Sequence, residues 1–119
     1  MAHTLLEMAQ VGKFSNYKVY IYGGEGPIPH LHFFTVDNKI SGCIRLDKPE
    51  YFVHGNHSDK LNHSDKKKFV EWISSNETPF KKFSADLTVY RYIVITWNEN
   101  NENYRIDEDI EMPDYTQLW

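Results

Sequence analysis

The chain has 119 residues, with 13 basic and 17 acidic side chains, six histidines, one cysteine and a formal net charge of -4. That length suits one domain and excludes multidomain enzyme architectures, while a lone cysteine excludes an internal disulfide and a four-cysteine zinc site. The acidic balance argues against a surface that binds nucleic acid over its whole extent and leaves room for a local basic patch, and the absence of a long apolar run predicts neither a membrane span nor a secretory signal, hence a cytoplasmic protein.

The predicted elements begin with a short segment of mixed pattern, read as a weak helix or an N-terminal arm (1–14) ending near Gly12. Tyr17-Lys18-Val19-Tyr20-Ile21-Tyr22 is rich in aromatic and β-branched residues and stops at Gly23-Gly24, a strand meeting a turn. The Gly23-Gly24-Glu25-Gly26-Pro27 stretch lacks the Gly-Lys-Ser/Thr ending of a phosphate-binding loop and reads as a plain turn. Pro27 and Pro29 keep the chain extended until a strand starts near His30.

Asp37-Asn38 separates Leu31–Val36 from Ile40–Leu46, so these two runs read as a hairpin. A loop of two or four residues sets His32 opposite Cys43 and His30 opposite Arg45. Leu31 and Phe33 then share an apolar face with Ile40, Ile44 and Leu46, and the other face holds His30, His32, Phe34, Ser41, Cys43 and Arg45. A three-residue loop would mix the two sets, so burial selects the even loop.

Glu50–His54 adds a short extended piece before a polar loop. Asn62 or Ser64 is placed to cap a helix over residues 64–75 with Phe69, Val70, Trp72 and Ile73 on its apolar side. Over 86–100 the β-branched content favours a strand, yet Leu87, Tyr90, Val94 and Trp97 fall at helical spacing and the stretch is long for a strand, so a helix is expected. The acidic tail (107–119) has no apolar pattern of its own, although Tyr115, Leu118 and Trp119 give it something to dock. The expected class is α+β: one domain over 1–119, with a small antiparallel sheet of three to four strands packed on one face by two helices.

Side chains two apart on a strand point the same way, so His30 and His32 converge on one ion or phosphate, with Cys43 beside them. His54 or Asp47 completes a zinc set, and His30, His32, Cys43 and His54 are the candidate metal ligands. Arg45 on the same face is a fixed cation that disfavours a second one, so an anion is the preferred guest and no metal or other cofactor is assigned. His54, His57 and His63 surround a loop with Asp59 and Asp65 at spacings that match no ligand template. Lys66-Lys67-Lys68 at a helix start, with Lys81-Lys82 beyond, offer phosphate contacts.

The segment Ile28-Pro29-His30-Leu31-His32-Phe33 resembles the bacterial domain-of-unknown-function family 4160, marked by a Pro-Pro-His-Phe-His-Val strand followed by a paired strand and a helix containing Glu-Trp, here Glu71-Trp72. The similarity covers roughly Tyr17 to Ser75, with Ile28 in place of the first proline and a longer segment from Asp47 to Leu61. It implies a bacterial accessory protein of toxin–antitoxin-like type, with His30 and His32 at the signature positions, and no particular reaction. The residues then suggest a binding or regulatory module that contacts a partner protein or RNA/DNA phosphate through His30, His32, Cys43, Arg45, Lys66 and Lys67. The alternative is a small hydrolase or ribonuclease, metal-dependent or working by histidine acid–base catalysis, centred on His30, His32 and His54.

Overall fold

Alternation of side chains along a strand forces each run to choose which set it buries, and the apolar set meets the helices. The computed structural model of the protein describes residues 8–78 and 87–118. In it β1 (Met8–Phe14), β2 (Tyr17–Tyr22), β3 (His30–Thr35) and β4 (Ser41–Arg45) form one antiparallel sheet in chain order. The predicted register holds: His30 pairs with Arg45, Leu31 with Ile44, His32 with Cys43 and Phe34 with Ser41. The loop is the four-residue one, closed by the Thr35 amide on the Ile40 carbonyl at 3.0 Å.

One face of the sheet is thereby apolar. Val19, Ile21, Leu31, Phe33, Ile44 and Leu46 are fully buried with Phe69, Ile73, Tyr90, Val94 and Trp97 from the two helices. Ile40 is not among them; it closes the loop and remains 38% exposed. The helices are α1 (His63–Ile73) and α2 (Val89–Asn100), so the ambiguous stretch is a helix. Asn62 caps α1 by accepting from the Asp65 amide, and Thr88 caps α2 by accepting from the Arg91 amide, each supplying an acceptor to a donor that the first turn leaves unpaired. No helix among the described residues is long and apolar enough to cross a membrane.

One expectation at the start of the chain is corrected, and the docking offered by the tail's apolar residues is located. The second half of the expected arm is β1, paired to β2 with a bulge between Gln10 and Gly12. That extra residue shifts the alternation midway, which is why the period-2 pattern was invisible, yet Val11 and Phe14 still reach the core. The acidic tail is a strap rather than a loose end. Tyr115 and Leu118 are buried, the Arg91 guanidinium donates to the Glu108 and Ile110 carbonyls, and the Tyr115 hydroxyl donates to the Arg45 carbonyl at 2.6 Å. Its charges stay outside while two side chains at its end fill the core. The first seven residues, Lys81, Lys82, Asp86 and Trp119 lie outside the described residues.

On the side of β4 away from β3, the following loop pairs with the strand: the Arg45 amide donates to Glu50, the Phe52 amide to Cys43 and the Asp59 amide to Ser41. A Cβ on Gly42 would stand 2.2 Å from the Asp59 carbonyl oxygen and 2.5 Å from the Phe33 ring. Neither backbone nor buried ring can yield cheaply. Gly42→Ala is expected to destabilise the fold by about 1–3 kcal/mol, as overpacking does, measured as a lower midpoint in urea with an unchanged slope.

Candidate functional site

The second face of the sheet is polar in sequence and is nevertheless largely covered. His30 and His32 are 1% and 3% exposed, so they are not presented to solvent as the sequence suggested. The loop after β4 folds over them. A tight turn at Gly55-Asn56, with Gly55 at φ +62°, pairs His54 and His57 across a single bridge and brings both rings to the β3 histidines. Ring centroids stand 5.3 Å apart for His30 and His54, 5.2 Å for His32 and His57, and 5.1 Å for His30 and His32. Phe52 packs against His30 at 4.7 Å, and Trp97 of α2 reaches it at 5.6 Å.

The centre of this cluster is Glu25, on the connection between β2 and β3. Its Oε1 lies 2.6 Å from His32 Nε2 and 3.3 Å from His30 Nε2, and its Oε2 lies 3.5 Å from His54 Nε2. The loop carrying it is fixed by Asn101, the residue that ends α2. Asn101 Oδ1 accepts from the Glu25 amide and its Nδ2 donates to the Tyr22 and Trp97 carbonyls, each at 3.1 Å. The only sequence signal for Glu25 was a carboxylate a few residues before His-x-His, too common a pattern to single out.

Hydrogen bonding fixes the tautomers. His30 Nδ1 lies 2.7 Å from the Ile28 carbonyl, which can only accept, so Nδ1 carries the proton. His32 presents Nε2 to the carboxylate and Nδ1 to the Cys43 sulfur at 3.4 Å. Its Nε2–H therefore donates to Glu25, and the thiol donates to Nδ1. Burial pushes the Cys43 thiol up to about 12, which keeps that proton on sulfur. Burial also lowers His30, and it lowers His32 to about 4 against the opposing pull of Glu25. For Glu25 burial alone would raise the carboxyl, but the His32 hydrogen bond and the neighbouring histidines outweigh it and hold it below its ordinary value. The centre is an ionised carboxylate beside the two buried neutral imidazoles of His30 and His32.

Among the described residues, two sets of side chains are close enough to hold a metal ion. One is Glu25, His30 and His54; the other is His30, His32 and Cys43. The cleft outside them, about 310 Å³, is lined by Tyr22, Glu25, His32, Phe34, His54 and His57. His57 Nδ1 lies 3.0 Å from Ser41 Oγ.

Other sequence candidates are not part of this cluster. Arg45 lies on the same face, but both arms of its guanidinium donate to Asp47 at 2.9 Å, so its charge is already matched. Lys66 sits on α1 and donates to the Leu118 carbonyl, and Lys67 borders a separate hollow with His63 and Val70. Asp59 accepts from the Ser41 amide, while Asp65 accepts from the Ser15 and Tyr17 hydroxyls. A larger hollow of about 460 Å³ between Lys13, Lys68 and Trp72 has no converging histidines. No family model, no curated protein and no solved structure matches this chain.

Two measurements probe this frame. Asn101→Ala removes one acceptor and one donor from buried partners and is expected to cost about 1–3 kcal/mol, read by chemical unfolding. The second concerns Asp47, whose carboxyl burial would raise and whose bond to Arg45 holds it down instead. A carboxylate with a depressed folded pKa adds stability that is fully present above its unfolded value, near 3.9, and is lost as pH falls through the folded one. The stability difference between the native protein and Asp47→Asn is therefore expected to be flat above about pH 5 and to shrink below about pH 4.

Proposed function

We propose that this protein is a small hydrolase acting on phosphodiester bonds of single-stranded nucleic acid, with the histidine cleft as its catalytic centre. The observation that carries this reading is the continuity of that cleft with an aromatic platform on the same sheet face. Tyr20, Tyr22 and Phe34 are half-buried on the strands, with Tyr20 and Phe34 ring centroids 5.9 Å apart and Tyr20 and Tyr22 6.2 Å apart. A second hollow of about 230 Å³, lined by Met8, Lys18, Tyr20, Tyr22, Phe34 and Asn38, shares Tyr22 and Phe34 with the histidine cleft. Lys18 lines that second hollow beside the rings. Aromatic rings that stack unpaired bases, beside lysines that follow the backbone, are how single strands are held without sequence readout.

In that frame water loses a proton as its oxygen bonds to phosphorus at the cleft, the P–O bond to the leaving oxygen breaks, and that oxygen takes up a proton. His57, lining the cleft and held at Nδ1 by Ser41, is placed to exchange it. A regulatory module that binds phosphate through the His30/Arg45 face has less support, because a carboxylate occupies the middle of the histidines and Arg45 is matched by Asp47. The resemblance to family 4160, with its toxin–antitoxin-like gene pairs, extends the proposal to a bacterial accessory role.

The test uses labelled single-stranded RNA, single-stranded DNA and duplex DNA in buffer supplemented with divalent metal. Cleavage of a single strand, lost in His57→Ala while binding persists, is expected. Phe34→Ala and Tyr20→Ala should each weaken binding by about 1–3 kcal/mol, roughly 5- to 150-fold. No cleavage of any substrate, or affinity unchanged in both aromatic variants, would discard the reading.

A further inference from the structure

We propose that Glu25, His30 and His54 form a binding site for one divalent transition-metal ion, open on the side of the cleft. The inference deepens the hydrolase reading, on which its role in catalysis rests, but the site itself follows from geometry alone. The Ile28 carbonyl takes the Nδ1 proton of His30, which leaves a bare lone pair on Nε2 aimed at a carboxylate oxygen 3.3 Å away. Two acceptors facing each other repel unless something positive lies between them. A second proton on His30 is one answer, but the side chain is fully buried, where a charged imidazole is costly. The separation also exceeds the roughly 2.7–2.9 Å of a charge-assisted N–H···O bond. It does match the spacing of two ligands each about 2.1 Å from a common ion, which stand about 3.0–3.4 Å apart in tetrahedral or octahedral arrangement.

His54 supplies the third ligand. Its Nε2 faces the other carboxylate oxygen at 3.5 Å, and all three donor atoms lie within 4.8 Å of one another. His54 stands on the surface turn and its side chain is 37% exposed, so it is the ligand able to close onto an ion. The surroundings are those of a built site. The backbone carbonyl orients His30, His32 donates to the coordinating carboxylate, and Asn101 fixes the loop that carries it. Two imidazoles and a carboxylate with remaining positions toward a cleft are an open ligand set of the kind that zinc, iron or manganese occupies in catalytic centres.

The competing set, His30, His32 and Cys43, is disfavoured. Cys43 is 1% exposed and would have to give up its proton in that interior, where a thiolate is costly. Arg45, which argued against any cation on this face, is neutralised by Asp47.

The experiment titrates protein stripped with chelator with Zn2+ by calorimetry and with Co2+ by visible absorption. One ion per chain is expected, with cobalt d–d bands that respond to Glu25→Gln. That variant keeps an acceptor for His32 and removes the charged ligand, and His54→Ala removes an exposed side chain, so both should fold. Each is expected to weaken binding at least roughly 100-fold, the upper end of what losing an outer-shell partner costs, while Cys43→Ser binds as the native protein does. Circular dichroism checks that the variants are folded; if either is not, the cobalt spectrum of the native protein decides, since a sulfur-to-cobalt charge-transfer band in the near ultraviolet would overturn the assignment and its absence with d–d bands present would support it. Absence of a bound ion in the native protein, or binding that Cys43→Ser abolishes and Glu25→Gln spares, also overturns it. Binding of the ion without nucleic-acid cleavage removes the hydrolase reading and leaves this site standing. Cleavage that survives chelation removes the ion from the hydrolase reading and leaves the site itself to the titration.

Discussion

Strand β3 answers to two environments at once, and the rest of the molecule is arranged around that constraint. Leu31 and Phe33 must enter the core, so His30 and His32 must take the opposite face. Nothing in an open sheet would normally cover that second face. Here the chain after β4 returns over it, with Phe52, His54 and His57 laid on the β3 histidines. Polar side chains are buried as a result, and each buried ring nitrogen needs a partner. The Ile28 carbonyl meets that need for His30 Nδ1, and Glu25 and Cys43 meet it for the two nitrogens of His32, while His30 Nε2 is left facing the Glu25 carboxylate.

The electrostatics of the face differ from those suggested by Arg45. A guanidinium placed next to His30 in the register looks like an anion trap. In three dimensions it turns to Asp47, two residues along the chain, and forms a two-pronged pair. Glu25 arrives instead from the β2–β3 connection and sets the sign of the cluster. Residues adjacent on a ladder share a face, but the direction of a long flexible side chain is set by the nearest opposite charge rather than by the strand.

How much was legible follows from the range of the interactions. The β3–β4 register could be read because alternation and a short loop are local and mutually constraining. Both helices could be read from the spacing of Phe69, Trp72 and Ile73 and of Tyr90, Val94 and Trp97, all buried in the outcome. His54 was grouped with the β3 histidines from the sequence, but the placing of His57 beside His32 was hidden because it depends on how a polar loop folds back, which no periodicity records. Glu25 was hidden for a related reason: its partner Asn101 lies 76 residues away. Tyr115 and Leu118 were legible as anchors of the acidic tail, but where they dock was not, because the strap is held by contacts to Arg45 and Arg91 far along the chain.

The covered flank of β4 has a consequence for how this sheet can meet other chains. The returning loop occupies the outer hydrogen-bonding edge of β4, and among the described residues β1 pairs only with β2. Growth of the sheet by a visiting strand is therefore directional, available at β1 and closed at β4. The bulge between Gln10 and Gly12 interrupts even that edge and twists it. A partner strand could align with only a few consecutive residues on either side of the irregularity, so the fold discourages end-to-end stacking of its own copies while leaving the cleft on the sheet's face untouched.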